Sequence, residues 1–247
     1  GYHLSPELLT GLDRIYQWSL YVAQQALQDS KHLGKVEALA NCGVILGSLS
    51  IPTQRSHQLV SQIYKQSLDL ALQKLLQQPQ FDLPSLNSSK EVSEMNRLGS
   101  SYLSAIVAQG LGLSGVNFTF DAACASSIFA IQLASDYLLS GKADLMLAGA
   151  VSGGDPWIVH NAFSLFQAYP EDGISRPLDK SSDGLLTGEG AGMVVLKRHS
   201  DAVRDGDRIY ATIAGIGLSN DGKGKHFFSP DPKGQLLAFE RAYRSAG

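Results

Sequence analysis

Three short apolar runs constrain this chain more than anything else in it. They are "NCGVILGSLS" (41–50), "ADLMLAGAV" (143–151) and "GAGMVVLKR" (190–198). In each, apolar residues occupy consecutive positions rather than alternate ones. A strand with one wet face alternates apolar and polar residues, so a continuous run reads as a strand covered on both faces. "VNFTF" (116–120) and "RIYATIAGIGL" (208–218) read as further strands. The intervening segments space their apolar residues as helices do. Strands that alternate with helices point to an α/β fold in which helical layers cover a sheet.

The helical segments carry their own punctuation. Ser5 can cap a helix and Pro6 can occupy its first position. From there Leu8, Leu9, Leu12, Ile15, Tyr16, Val22, Ala23 and Leu27 keep helical spacing, which predicts one helix over 5–29. Helices are also predicted over 56–77, over 91–111 with an interruption at Gly99, over 125–140 ending at Gly141, over 156–167 and over 234–246. The proline-containing "QQPQFDLPSLNSS" and the turn-rich "YPEDGISRPLDKSSDG" read as exposed loops. "SDAVRDG" links the last two strands. No internal repeat is visible, and residues 1–247 read as one region.

Composition excludes several classes. Of the 247 residues 44% are apolar and only 17% charged, which fits a fold with much interior or a large partner interface. A net charge of −3 gives no basic stripe for nucleic acid. No stretch approaches the roughly 20 apolar residues of a membrane span. "GYHLSPELL" lacks the basic and apolar regions of a signal peptide. Two cysteines, Cys42 and Cys124, do not make a disulfide scaffold, and a reducing cytoplasm is the simplest setting.

The two cysteines differ in context. Cys42 lies inside an apolar strand and reads as a small buried hydrophobe. Cys124, in "DAACASS", follows the 116–120 strand at the start of a helix. Unpaired amides there favour a thiolate and can donate to an oxyanion. Its neighbours Ala122, Ala123, Ala125, Ser126 and Ser127 are small, so a substrate can approach closely. A nucleophile and a buried structural thiol both remain open on these grounds alone.

"TGEGAGM" resembles a dinucleotide-binding loop only superficially. That loop follows a strand and opens a helix, whereas the β-prone "MVVLK" follows here. Glu189, among these glycines, sits either at a solvated strand end or buried with a partner. The six histidines, His3, His32, His57, His160, His199 and His226, form no His-x-x-x-His pair and none is near a cysteine in sequence, so a metal site has no support. His32, His57 and His199 stand in polar surroundings and read as solvated. His160 lies on the 156–167 helix, packed or partly exposed. His226 follows "DGKGK", which lacks the spacing of a phosphate-binding loop and reads as a turn.

Taken together, "DAACASSIFAIQLASDYLLSGKADLMLAGAV", "DGISRPLDKSSDGLLTGEGAGMVVLKR" and "DGDRIYATIAGIGLSNDGKG" resemble the β-ketoacyl synthases, in that family's order and at its approximate spacing. The likeness is closest to synthase domains of polyketide and polyunsaturated-fatty-acid assembly lines. It implies a thiolase-like layered α-β-α fold, of which this chain is the N-terminal half of a duplicated architecture. It implies that Cys124 accepts an acyl group from a thioester. A malonyl thioester is then decarboxylated and its carbanion attacks the acyl-cysteine. The amide of Cys124 would form part of the oxyanion hole, and Glu189 would support the active-site hydrogen-bond network. Implied too are an acyl carrier protein that presents substrates on phosphopantetheine, no other cofactor, no metal, and a homodimer paired through the "VNFTFD" strand.

The departures also carry information. The family's two catalytic histidines and its active-site lysine belong to the second half of the fold, and no histidine here matches them. "RPLD" has Leu178 where phenylalanine is usual. The expectation is therefore a synthase N-terminal region that lacks the opening strand and the C-terminal half and is incomplete for condensation alone. Two other readings stand beside it: a cysteine acyl-thioester hydrolase in which His226 activates Cys124, and a non-catalytic half-domain acting in assembly. Retention of the cysteine disfavours the latter.

Overall fold

The computed structural model describes residues 1–49, 53–84, 96, 99–153, 156–223 and 230–247. Its sheet contains β1 (Cys42–Gly47), β2 (Asn117–Phe120), β3 (Leu145–Ser152) and β4 (Gly190–Leu196). The spatial order is β2-β1-β3-β4. β1 pairs in parallel with β2 on one side and with β3 on the other, while β4 runs antiparallel to β3.

All six residues of β1 are buried, as its continuous apolar run predicts. Successive side chains point to opposite faces. Val44 and Leu46, with Leu145 and Leu147 of β3, join a cluster with Ile15, Tyr16 and Leu20 of α2 (Arg14–Asp29) and Leu103, Ile106 and Val107 of α5 (Leu103–Leu111). Ile45, Met146 and Ala148 join a second cluster, against Ala130, Ala134 and Leu138 of α6 (Ser126–Leu139). The sheet is thus covered on both faces. Each large side chain removed from water contributes about 1.5–3 kcal/mol before conformational entropy is counted.

The expected single helix over 5–29 is two helices. α1 (Pro6–Gly11) is capped by Ser5, whose Oγ accepts from the Leu8 amide at 3.2 Å. The chain then turns extended at Leu12 before α2 begins. Asn96 holds the break open: its Oδ1 accepts from the Asp13 amide at 2.7 Å and its Nδ2 donates to the Gly11 carbonyl at 2.9 Å. The break therefore depends on a residue 83 positions away, which local periodicity does not register. A short helix, α3 (Val36–Ala40), precedes β1 and has no counterpart in the periodicity.

α4 (Gln54–Leu76) lies close to its expected bounds. For the helix expected over 91–111, a 3₁₀ turn (Ser100–Tyr102) follows Gly99 and leads into α5. Residues 91–95 and 97–98 lie outside the described residues, as do 85–90 of the preceding loop. α7 (Pro156–Leu165), α8 (His199–Asp205) and α9 (Pro232–Ala246) complete the helices described, and 169–184 is irregular as expected.

Two expectations are corrected. "RIYATIAGIGL" forms no strand, because a strand needs a ladder partner for its backbone and 208–218 pairs with no strand among the described residues. A cavity of about 640 Å³ opens between β4 and residues 207–216, while α9 packs on the backbone at Gly215 and Gly217. Secondly, His32 is buried rather than solvated. Its Nε2 lies 3.9 Å from Asp207 Oδ1, and burial holds the imidazole below its usual range despite that carboxylate.

β3 and β4 approach most closely at Gly149, where a Cβ would overlap the carbonyl oxygen of Gly192. Gly149→Ala is expected to lower stability by about 1–3 kcal/mol in urea unfolding, as overpacking does. Gly188→Ala, which meets nothing within 4 Å, should leave the midpoint unchanged.

Candidate active site

The parallel register aligns Gly47 of β1 with Phe120 of β2. The Ser48 amide donates to the Phe120 carbonyl at 3.0 Å, so both strands end at one level. The chain leaving β2 must turn there to begin α6. It does so through Asp121 and Ala122 and a one-turn 3₁₀ helix, Ala123–Ala125, that carries Cys124. Cys124 thus stands one turn ahead of the α-helix proper. Ala123 has φ of +50°, in the left-handed region where non-glycine residues are uncommon.

That conformation costs about 1–3 kcal/mol and persists only where neighbours impose it. Asp121 Oδ1 accepts from the Ala123 amide at 2.8 Å. Ser126 Oγ accepts from the Ala122 amide at 2.9 Å and donates to the Ala123 carbonyl at 2.7 Å. At about 0.5–1.5 kcal/mol net each, three such bonds match the strain in size. Ser126 is buried, whereas Cys124 and the flanking Ala123 and Ala125 are exposed. α6 has no side-chain cap, its Ser126 amide donates back to the Ala123 carbonyl, and the helix start turns its partial positive charge toward this turn.

The exposed thiol beside uncapped amides is what a nucleophile attacking a carbonyl requires. Cys42 differs in every respect. It is fully buried in β1, and burial pushes its thiol up to about 12 despite a hydrogen bond from the Leu147 backbone. Both cysteines are free.

Glu189 opens β4 and is exposed, with Arg14 of α2 as its ion-pair partner. Arg14 also lies over the Trp18 ring at 5.1 Å. The pair ties α2 to the entrance of β4. It falls between the two alternatives read from sequence, a partnered carboxylate at a wet strand end. Among the described residues Glu189 makes no hydrogen bond to Cys124.

His160 is exposed on α7, and its Nδ1 lies 2.5 Å from Tyr169 Oη, which in turn lies 3.2 Å from Thr187 Oγ1. That cluster joins three segments and leaves no sequence signal. His226 lies outside the described residues, as does the side chain of His57. His199 is exposed, as expected. Among the described residues no grouping of histidine, cysteine and carboxylates suits a metal ion. The roles of Asp121 and Ser126 did have a signal: aspartate two residues before a strained position is the spacing of an Asx turn.

A substoichiometric thiol reagent at pH 8 is expected to modify Cys124 and spare Cys42 in the folded protein, read by peptide mapping. Raising the pH to 10 should not bring Cys42 into reaction, since its thiol is held at about 12. Adducts mainly on Cys42 would reverse the assignment.

With this geometry in view, three comparisons become informative. A family model described as the N-terminal domain of beta-ketoacyl synthases matches residues 2–202. The chain is 37% identical over 220 residues to one component of a polyunsaturated fatty acid synthase from Thraustochytrium sp., covering 86% of this chain and 10% of that protein. It is 35% identical over 235 residues to another component of the polyunsaturated fatty acid synthase from the same organism, covering 92% of this chain and 8% of the relative. Its residues therefore span about a tenth of the length of these relatives. Among solved structures, a PfaC keto synthase–chain length factor superposes with a TM-score of 0.87 at 53% identity, covering 100% of this chain and 26% of that one. A ketosynthase from module 1 of the bacillaene synthase of Bacillus amyloliquefaciens superposes at 0.70 with 26% identity, covering 99% of this chain and 38% of that one. The layered sheet is accordingly the thiolase-like fold of the ketosynthases, and this chain belongs to the β-ketoacyl synthase family.

Proposed function

We propose that residues 1–247 act as the acyl-accepting N-terminal region of a β-ketoacyl synthase, with Cys124 as the acylation site. The observation that carries this reading is the exposed thiol on a strained strand-to-helix turn beside the uncapped start of α6. The thiolate attacks the carbonyl carbon of an acyl thioester. The tetrahedral oxyanion is met by the Cys124 amide, and the donor thiolate leaves and takes a proton. In the second half-reaction a malonyl thioester loses carbon dioxide. Its carbanion attacks the acyl carbonyl, forms the carbon–carbon bond and expels the Cys124 thiolate. One residue serves both steps because a thiolate attacks well and leaves well.

The family supports carrier-bound phosphopantetheine thioesters as substrates, with an acyl carrier protein as partner. Neither half-reaction, as written, consumes a redox cofactor or a metal. Two free cysteines fit a reducing cytoplasm, and no helix among the described residues is long and apolar enough to cross a membrane. Glu189, whose ion-pair partner is Arg14, is assigned a supporting role in the active-site hydrogen-bond network. The alternative, a hydrolase in which His226 would activate Cys124, differs from this reading in the fate of the acyl group. We also propose a homodimer. β2 ends the sheet, and its outer edge is unpaired among the described residues. An exposed edge of this kind invites a second strand.

Incubating the natural polypeptide that carries these residues with an acyl thioester should yield acyl-Cys124 by mass spectrometry. Adding malonyl-loaded carrier protein should convert it to a β-keto product. Release of free acid at the same rate without malonyl carrier would favour the hydrolase. Loss of the adduct in Cys124→Ala, but not in Cys42→Ala, is the expected control. Light scattering of the same polypeptide at micromolar concentration should report a dimer; a stable monomer overturns that part.

A further inference from the structure

We propose that Ser126 is a positioning residue for acyl transfer, and that it acts by setting the plane of the peptide joining Ala123 to Cys124. The proposal rests on the reading of Cys124 as the acylated nucleophile. The Ala123 carbonyl and the Cys124 amide belong to one planar unit, so fixing the direction of the carbonyl fixes that of the N–H. Ser126 Oγ donates to this carbonyl at 2.7 Å. The same oxygen accepts from the Ala122 amide at 2.9 Å, so one hydroxyl holds both the Asp121–Ala122 peptide and the Ala123–Cys124 peptide around left-handed Ala123. A peptide whose carbonyl accepts a hydrogen bond is also polarised toward stronger donation from its N–H.

Ser126 cannot drift, and the reason lies in the sheet. A Cβ at Gly47 would lie 2.5 Å from Ser126 Cβ and 2.8 Å from its carbonyl carbon. The last residue of β1 therefore abuts the first residue of α6, and only glycine permits the approach. Ser126 is itself buried against this contact. Position is thus transmitted from the end of β1 to Ser126, from Ser126 to the Ala123–Cys124 peptide, and from that peptide to the amide that would meet the oxyanion. Asp121 holds the neighbouring unit, the Ala122–Ala123 peptide, by accepting from the Ala123 amide.

Two reactions of the same thiol separate positioning from scaffolding. Alkylation by iodoacetamide needs the thiolate and develops no oxyanion. Acylation by an acyl thioester needs the thiolate and an aimed amide. A misplaced or lost oxyanion donor costs ~10²–10³ in rate. In the natural polypeptide, Ser126→Ala is expected to lower the ratio of acylation to alkylation at Cys124 at least tenfold, with alkylation itself within threefold of the unsubstituted protein. Ser126→Cys keeps the shape but donates weakly, and should fall between the two, with adducts at each thiol counted separately by mass spectrometry. It also serves where Ser126→Ala does not fold. An unchanged ratio in folded Ser126→Ala or Ser126→Cys overturns the proposal alone. Failure of the unsubstituted protein to form acyl-Cys124 overturns the functional reading, and this proposal with it.

Discussion

The double parallel pairing of β1 is the constraint on which the rest depends. Because β1 bonds to β3 on one side and to β2 and the Gly115–Val116 segment ahead of it on the other, its backbone is bonded along both edges. That frees both of its faces for apolar packing, and the two clusters form from alternate residues of the same six. The same pairing decides where chemistry can occur. Parallel strands end on one side, so the turn after Phe120 emerges beside Gly47, and α6 starts against the tip of β1. The reactive corner is a consequence of strand register before it is a property of the cysteine.

The two thiols show how strongly placement outweighs residue type. Cys42 begins β1 and is sealed in its ladder, whereas Cys124 follows the end of the neighbouring parallel strand β2 and is held out on a strained turn. Burial raises the pKa of the first by withdrawing its thiolate from water. The second has small neighbours and uncapped amides. Three short-range hydrogen bonds hold the turn in a conformation that alanine does not favour, and the strain sits at the place where a side chain must be presented to a substrate.

Elsewhere side chains tie the layers together where backbone pairing is absent. Asn96 bridges the gap between α1 and α2. Arg14 reaches Glu189 across from α2 to β4. Arg198 donates to the carbonyls of Leu138 and Ala143 at 2.9 and 2.7 Å, closing the end of α6 onto the β4–α8 connection. The edges of the sheet are less complete. β4 carries the apolar run "GAGMVVL", yet Val194 is 45% exposed and a cavity adjoins the strand. Residues 208–216 line that cavity without a ladder.

Sequence alone determined the layered α/β class, the strands at 42–47 and 145–152, the capped start at Ser5, the rejection of "TGEGAGM" as a dinucleotide loop and the singling out of Cys124. Each of these is written in residues close together in the chain: consecutive apolar positions, a Ser-Pro start, small residues around a thiol. Only the tertiary structure decided the rest. It broke the first helix, because Asn96 approaches from 83 residues away. It left 208–218 unpaired, because β-propensity does not supply a partner. It buried His32, because Asp207 and its surroundings close over a residue whose own neighbours are polar. It placed Ser126 under Gly47, because strand register and helix packing bring together residues that no local pattern connects.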